Sequence, residues 1–361
     1  MPLAAVVDHH FGLGLLRHRS IVVDIERVRG PLAAIVSEAA CTIAAMGQLY
    51  VETWAPEYGS SFETDDALAD ASKVDETVEV DGPWAPLAGT DDGVDKVAFV
   101  DGVRRIDARL TLDEPEGPVP GICGSHGVGA VVWNRSERRS DFADIQIDRL
   151  AVFGGGNGAP IPVASPQIVY RSESVPETDP GVLIQRFHGS MRRAEAGLSE
   201  RLAQSGLFVI ADGPINDLSA TEKVGYVKSH RAPYLSPEKA PVIGRIRAGE
   251  RTPLFLIGRG GAYPRYSWYQ RLVDDATGHS WTGVVRCEVS SALPLDRARV
   301  VADRVAAILP LVGSEPHIDP RAPQNLVPIA ALEGELRRRL GDPGIVYRAL
   351  RSAVAAAEAS A

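Results

Sequence analysis

Two stretches decide the fold: Ala98-Phe99-Val100-Asp101-Gly102 and Phe208-Val209-Ile210-Ala211-Asp212-Gly213. In each, a short apolar run typical of a buried strand is followed at once by Asp-Gly. In an open sheet with parallel neighbours, ligands collect at the carboxyl ends of the strands. We therefore predict that Asp101 and Asp212 converge and share a cation. Asp-Gly is also a common turn, and two ordinary turns are the alternative.

The rest of the pattern predicts an α/β protein with a mixed sheet flanked by helices. Apolar runs rich in Val, Ile and Phe and bounded by Gly or Asp predict strands. These runs are 97–100, 104–112, 128–133, 145–153, 207–211, 224–227, 254–257, 267–272 and 281–289. Apolar residues at helical spacing predict helices over 179–204, 293–311, 326–340 and 346–357. The runs 97–100 and 104–112 are expected to pair as a hairpin.

Composition and spacing divide the chain into three regions. Residues 1–54 have helical spacing and more apolar surface than one isolated helix buries, so we expect a helical region for dimerisation or partner docking. Residues 55–95 are acidic and rich in Gly and Pro, which predicts an acidic loop or insertion. Residues 96–361 form the main domain.

The overall composition excludes several classes of protein. The chain has 361 residues, 45% of them hydrophobic and 24% charged, with a net charge of −9, which excludes disorder of the whole chain. The most apolar segment, 31–50, contains Glu38, so no membrane span is expected. Three distant cysteines and a start without the pattern of a signal peptide indicate a cytoplasmic setting.

Positive charge is concentrated in residues 223–271, which we call the basic block. It has ten Lys and Arg residues against Glu238 and Glu250, and six Tyr or Trp residues lie among them. Such a block is typical of a surface that follows a phosphate backbone and stacks on bases. An ordinary solvated basic face is the alternative.

Two further residues are candidates for the site. Glu195 follows the core-facing Ala194 on the predicted helix 179–204, so it can point along the helix edge toward the end of the sheet. Lys228 ends a predicted strand beside Ser229, where an ammonium can meet a phosphate oxygen. The alternatives are a solvated surface glutamate and a surface lysine with its stem buried.

Carboxylate ligands of this kind suit magnesium or manganese. Metal ions about 4 Å apart can activate a water and stabilise the leaving oxygen of a phosphodiester. The acids therefore predict a metal-dependent phosphodiester hydrolase.

The order of these motifs resembles the NurA nuclease family over roughly residues 97–340. The shared order is strand-Asp-Gly at Asp101, Arg-Arg-x-Glu at Glu195, Asp-Gly-Pro-Ile from Asp212, and Gly-x-Val-Lys-Ser ending at Ser229. The resemblance implies an RNase H-like core and manganese-dependent cleavage of DNA, with single-strand endonuclease and exonuclease activity. It also implies a homodimer that works with a HerA-type hexameric ATPase in DNA end processing and repair. By this resemblance Asp101, Glu195 and Asp212 are metal ligands and Lys228 contacts the phosphate.

The sequence departs from the family near its C-terminus. Gln324 and Asn325 stand where the family has its Ala-His, so the fourth metal ligand is undefined, and His317 is out of register. The missing histidine supports an alternative: a catalytically weak DNA-binding or adaptor subunit of an ATPase complex. Because the sequence has no Walker-type phosphate loop, any ATP-driven movement has to come from a partner.

Overall fold

The structure is a computed structural model that describes residues 74–358 with short gaps. The gaps are 116, 157, 162–164, 216–217, 229–233, 259–262, 275–279, 316, 318 and 320. The predicted helical region 1–54 and the first part of the acidic segment, 55–73, lie outside the described residues. The division into three regions therefore stays a prediction.

The described residues form one sheet of eleven strands with helices on both faces. The strands are β1 (Leu87–Ala88), β2 (Lys96–Glu114), β3 (Gly117–Asn134), β4 (Arg139–Phe153), β5 (Arg171–Ser174), β6 (Phe208–Asp212), β7 (Lys223–Val227), β8 (Glu250–Arg251), β9 (Phe255–Ile257), β10 (Arg265–Arg271) and β11 (Val284–Ser290). Their order is β1-β8-β10-β11-β7-β6-β2-β3-β4-β5, and β9 pairs with β10. The helices are α1 (Pro180–Gln204), α2 (Leu295–Ile308), α3 (Val327–Leu340) and α4 (Pro343–Glu358), with 3-10 turns at Ala240–Arg245 and Leu309–Val312.

The centre of the sheet has the strand order of an RNase H-like fold. Strands β2, β3 and β4 are antiparallel neighbours. After α1 the chain returns to the other side of β2, where β6 runs parallel to β2 and β7 runs parallel to β6. The mixed sheet flanked by helices confirms the predicted α/β class.

Helix α1 forms where the spacing predicts it. The Asp179 side chain accepts hydrogen bonds from the backbone amides of Gly181 and Val182, and Pro180 fills the first turn, where its missing amide hydrogen costs nothing. Its apolar stripe, which includes Phe187, is buried against the sheet. Among the described residues, no helix combines the length and the apolarity needed to cross a membrane.

The two faces of β2 meet different helices. Side chains alternate along a strand, so Val100 packs with Met191 of α1 on one face. Phe99 and Val103 point to the other face, where they join the apolar clusters built on α2 and α3. Because Asp101 is two residues away from both Phe99 and Val103, its side chain points to the same face of the sheet, which α2 and α3 cover.

One prediction about β2 is wrong. The sequence predicted that a strand ends at Val100 and that 104–112 folds back on it as a hairpin. Instead β2 runs unbroken from Lys96 to Glu114 and pairs with β3 along its length, with Gly102 opposite Val128. The pairing that stops at this point is the one between β2 and β6, and its last pair of residues is Val100 with Ala211. Asp101 therefore lies where the parallel strands β2 and β6 separate. The Asp-Gly step does not end β2, because β2 stays hydrogen-bonded to β3 on its other side.

The described part of the acidic segment packs on the far end of the sheet. Strand β1 pairs with β8, and Trp84 is buried in an aromatic cluster with Phe255. Glu79 forms a buried ion pair with Arg251 at 2.8 Å. Acidic residues of this segment thus neutralise cations of the basic block inside the fold.

Candidate metal centre

Asp101 and Asp212 lie side by side at the point where β2 and β6 separate. The parallel register pairs Val100 with Ala211, so the next residue of each strand is an aspartate on the same face. Asp101 is 8% exposed, and Asp212 is half-buried. The backbone amide of Gly102 donates to Asp101 Oδ1 at 2.7 Å and fixes its carboxylate.

A third carboxylate, Glu333 of α3, completes the cluster. One oxygen each from Asp101, Asp212 and Glu333 can be chosen so that all lie within 4.8 Å of one another. Glu333 was not predicted from the sequence. The sequence feature that could have indicated Glu333 is its position on the apolar stripe of α3, where a carboxylate stands between the buried residues Leu332 and Leu336.

Glu195 reaches the same place from the other face of the sheet. It extends from α1 over the Cα of Gly102, where the absence of a side chain leaves the space that its carboxylate fills. Glu195 is outside the set of three oxygens that meet within 4.8 Å, but its charge acts on Asp101. Burial and the nearby Asp212 raise the pKa of Glu195 to about 8, against the opposing effects of Arg104 and Arg192.

The neighbouring carboxylates raise the affinity of Asp101 for positive charge. Burial, followed by the charge of Asp212, raises the pKa of Asp101 well above its usual range. Like charges held close in a buried site favour either a proton or a cation. An all-oxygen donor set of this kind suits a hard divalent cation such as Mg²⁺ or Mn²⁺, and Asp101, Asp212 and Glu333 are the residues that would hold it.

Lys228 turns into the cluster. Its Nζ donates to Asp212 Oδ2 at 2.7 Å and to Asn325 Oδ1 at 3.0 Å, and its side chain is 2% exposed. The alternative of a surface lysine is therefore wrong. In this structure its ammonium contacts the carboxylate of Asp212 and the amide oxygen of Asn325 where β7 ends.

Residues 319 and 321–325 lie just before α3, and we call this segment the strap. Its side chains hold the carboxylate of Glu333 and the ammonium of Lys228 in place. Arg321 bridges Asp319 and Glu333, with Nη1 at 3.0 Å from Glu333 Oε1 and Nη2 at 2.9 Å from Oε2. Asn325 Nδ2 donates to Asp319 at 2.6 Å, which turns Asn325 Oδ1 toward Lys228. Asn325, which stands where a metal-binding histidine was expected, thus orients a lysine.

His317 is not part of this arrangement. Its ring is 72% exposed and lies 3.2 Å from Glu315. The further carboxylate that lies with Asp101 and Asp212 is instead Glu333 of α3.

Five cations of the basic block, besides Lys228, are engaged inside the fold. Lys223, Lys239, Arg251 and Arg265 pair with carboxylates, and Arg271 donates to backbone carbonyls. Four of its six aromatic side chains are buried: Tyr226, Tyr234, Trp268 and Tyr269. These residues serve the core and its ion pairs, so they offer no stacking surface to a nucleic acid.

The fold and the site define the chain as an RNase H-like α/β protein with a buried carboxylate cluster suited to a divalent cation. No protein-family model matches the sequence, and no curated protein matches it. Among solved structures, the NurA nuclease from Sulfolobus solfataricus is similar, with 10% sequence identity and a TM-score of 0.41. The match covers 71% of this chain and 84% of that chain. A likeness at this level supports no statement about activity, which has to come from the site.

Proposed function

We propose that this protein is a metal-dependent nuclease that hydrolyses phosphodiester bonds of DNA. The observation that carries the proposal is the convergence of Asp101, Asp212 and Glu333 within 4.8 Å, with Glu195 beside them. Carboxylates repel one another when they are buried without compensation. Lys228 and Arg321 compensate Asp212 and Glu333, but the buried Asp101 makes no ion pair with any residue that the structure describes, so a cation bound at the centre would stabilise the cluster.

Each residue has a distinct task in this proposal. Asp101, Asp212 and Glu333 hold the divalent cation, and Glu195 lies at its edge beyond Gly102. A divalent cation at such a site lowers the pKa of a bound water and neutralises charge on the phosphate. Lys228 adds a fixed positive charge beside Asp212. Arg104 and Arg192, which lie near enough to Glu195 to lower its pKa, are placed to attract the substrate's phosphates.

The choice of DNA as substrate is supported by the motif order in the sequence, which resembles the NurA family. The same resemblance supports a cytoplasmic homodimer that acts in DNA end processing with a HerA-type hexameric ATPase. In light scattering after size-exclusion chromatography we expect a dimer, and we expect deletion of residues 1–50 to lose dimerisation or ATPase binding. A stable monomer that cleaves long duplexes without any ATPase would contradict this part of the proposal.

The activity is tested with labelled single-stranded DNA, incubated with Mn²⁺, with Mg²⁺ and with a chelator. We expect cleavage with the metal ions, none with the chelator, and none from Asp101→Asn or Asp212→Asn. Asp101→Asn removes a buried charge with little change in volume and should keep or raise the melting temperature, whereas Asp212→Asn leaves the buried Lys228 ammonium without its carboxylate partner and should lower it. DNA binding without cleavage in the wild-type protein would instead favour the adaptor subunit.

A further inference from the structure

The carboxylates at the edge of the cluster each have a cation of their own. Lys228 lies 2.7 Å from Asp212, and Arg321 spans both oxygens of Glu333. On the opposite face, Arg104 and Arg192 act on Glu195. Within the described part of the chain, Asp101 at the centre makes no ion pair of its own, although the charge of Lys228 acts on it.

The ammonium of Lys228 is held firmly in this place. Its side chain is 2% exposed, and Asn325, which accepts one of its hydrogen bonds, is fully buried. Asn325 is in turn oriented by Asp319, which Arg321 holds. Lys228 therefore cannot swing into solvent without breaking bonds to Asp212 and Asn325 that a buried charge requires.

A second divalent ion would have to compete with this ammonium. In two-metal sites the ions lie about 3.5 to 4 Å apart and share a carboxylate between them. One oxygen of Asp212, Oδ2, already receives the Lys228 ammonium. A second ion bound to Asp212 Oδ2 would lie directly beside the ammonium of Lys228. Repulsion between two neighbouring positive charges is strong in a buried site.

We propose that the site takes a single divalent cation and that Lys228 stands in for a second one. The inference rests on the proposed function only in that it requires the carboxylates to bind a divalent cation at all. Lys228 then supplies from the protein the positive charge that a second ion would otherwise place beside the phosphate.

The test is a titration of the full-length protein with Mn²⁺, without DNA, followed by electron paramagnetic resonance. We expect the wild-type protein to bind one Mn²⁺ per chain and Asp101→Asn to lose this binding. The wild-type spectrum should show no magnetic coupling between paired Mn²⁺ ions. Two coupled ions would overturn this inference and leave the proposed function standing. No Mn²⁺ bound at the site would overturn both.

The role of Lys228 is tested with Lys228→Met, whose apolar side chain has a similar length. Removing the ammonium should tighten Mn²⁺ binding by about tenfold or more, because it removes a repulsive charge beside the ion. Lys223→Met is the matched control, since Lys223 is a buried ammonium paired with Glu200 at the other end of β7, and it should leave Mn²⁺ affinity unchanged. Unchanged affinity in Lys228→Met would overturn the role given to Lys228. If that variant does not fold, the number of ions bound by the wild-type protein decides.

Discussion

The pKa of Glu195 is strongly raised in the folded protein. Its pKa rises from the ordinary 4.5 to about 8, first because of burial and then because of Asp212. The folded protein therefore binds a proton that the unfolded chain releases across this range. Stability from this group is complete below about pH 4.5 and is lost as the pH rises toward 8.

We expect the melting temperature of the metal-free protein, measured in chelator, to fall as the pH rises between 4.5 and 8. Glu195→Gln should flatten this profile, because the amide does not titrate. Added Mn²⁺ should also reduce the fall, since the cation compensates the carboxylates. A variant profile that overlays the wild-type profile would show that Glu195 does not titrate in this way.

Gly102 controls the position of the Glu195 carboxylate. In Gly102→Ala the added Cβ would overlap Glu195 Oε1, and the carboxylate would have to move away. We expect cleavage to fall by about 100-fold, as it does when a catalytic group is displaced by about 1 Å. The melting temperature should change little, because the displaced atom is the end of a flexible side chain.

Gly334 provides the control for this substitution. A Cβ at Gly334, in the exposed face of α3, meets nothing within 4 Å. Gly334→Ala should keep full activity and gain about 1 kcal/mol in the free energy of unfolding, from helix propensity. Equal losses of activity in the two variants would show that contact with Glu195 is not the cause.

At the scale of elements, the strap fixes α3 to the site. Arg321→Gln frees both oxygens of Glu333 and removes a positive charge beside the cluster, so Mn²⁺ should bind about tenfold more tightly, for the same reason as in Lys228→Met. Arg337→Gln is the control, because Arg337 contacts the same carboxylate at 3.0 Å from a position that is 62% exposed. Its effect on Mn²⁺ affinity, measured by calorimetry, should stay within about fivefold. Equal effects of the two substitutions would argue against a special role for the strap.

The elements themselves were largely predictable, but their ends were not. Helix α1 was predicted over 179–204 and spans Pro180–Gln204, because its apolar spacing and its capping residue are local features. The break predicted after Val100 is absent, because β3 supplies hydrogen bonds on the far side of Gly102. Whether Asp-Gly ends a strand depends on neighbours that are distant in sequence.

At the scale of the whole molecule, the acidic segment stabilises the far end of the sheet. Glu79→Gln leaves Arg251, which is 2% exposed, without one of its two carboxylate partners. We expect denaturant unfolding to show a loss of about 3 kcal/mol, as for other broken buried pairs. Glu137→Gln breaks an exposed pair with Arg139 and should change stability by less than about 0.5 kcal/mol. Similar values for the two variants would mean that residues 74–95 add little to the fold.

The amino-acid sequence by itself determined the α/β class, most of the strands and helices, and the meeting of Asp101 with Asp212. Those features follow from local spacing and from the rule that parallel strands bring their carboxyl ends together. Only the tertiary structure decided that Glu333 joins Asp101 and Asp212, that Asn325 orients Lys228, and that much of the basic block is buried in ion pairs. These outcomes depend on how α3, the strap and the acidic segment pack, and no local pattern encodes the distance between side chains that are far apart in the sequence.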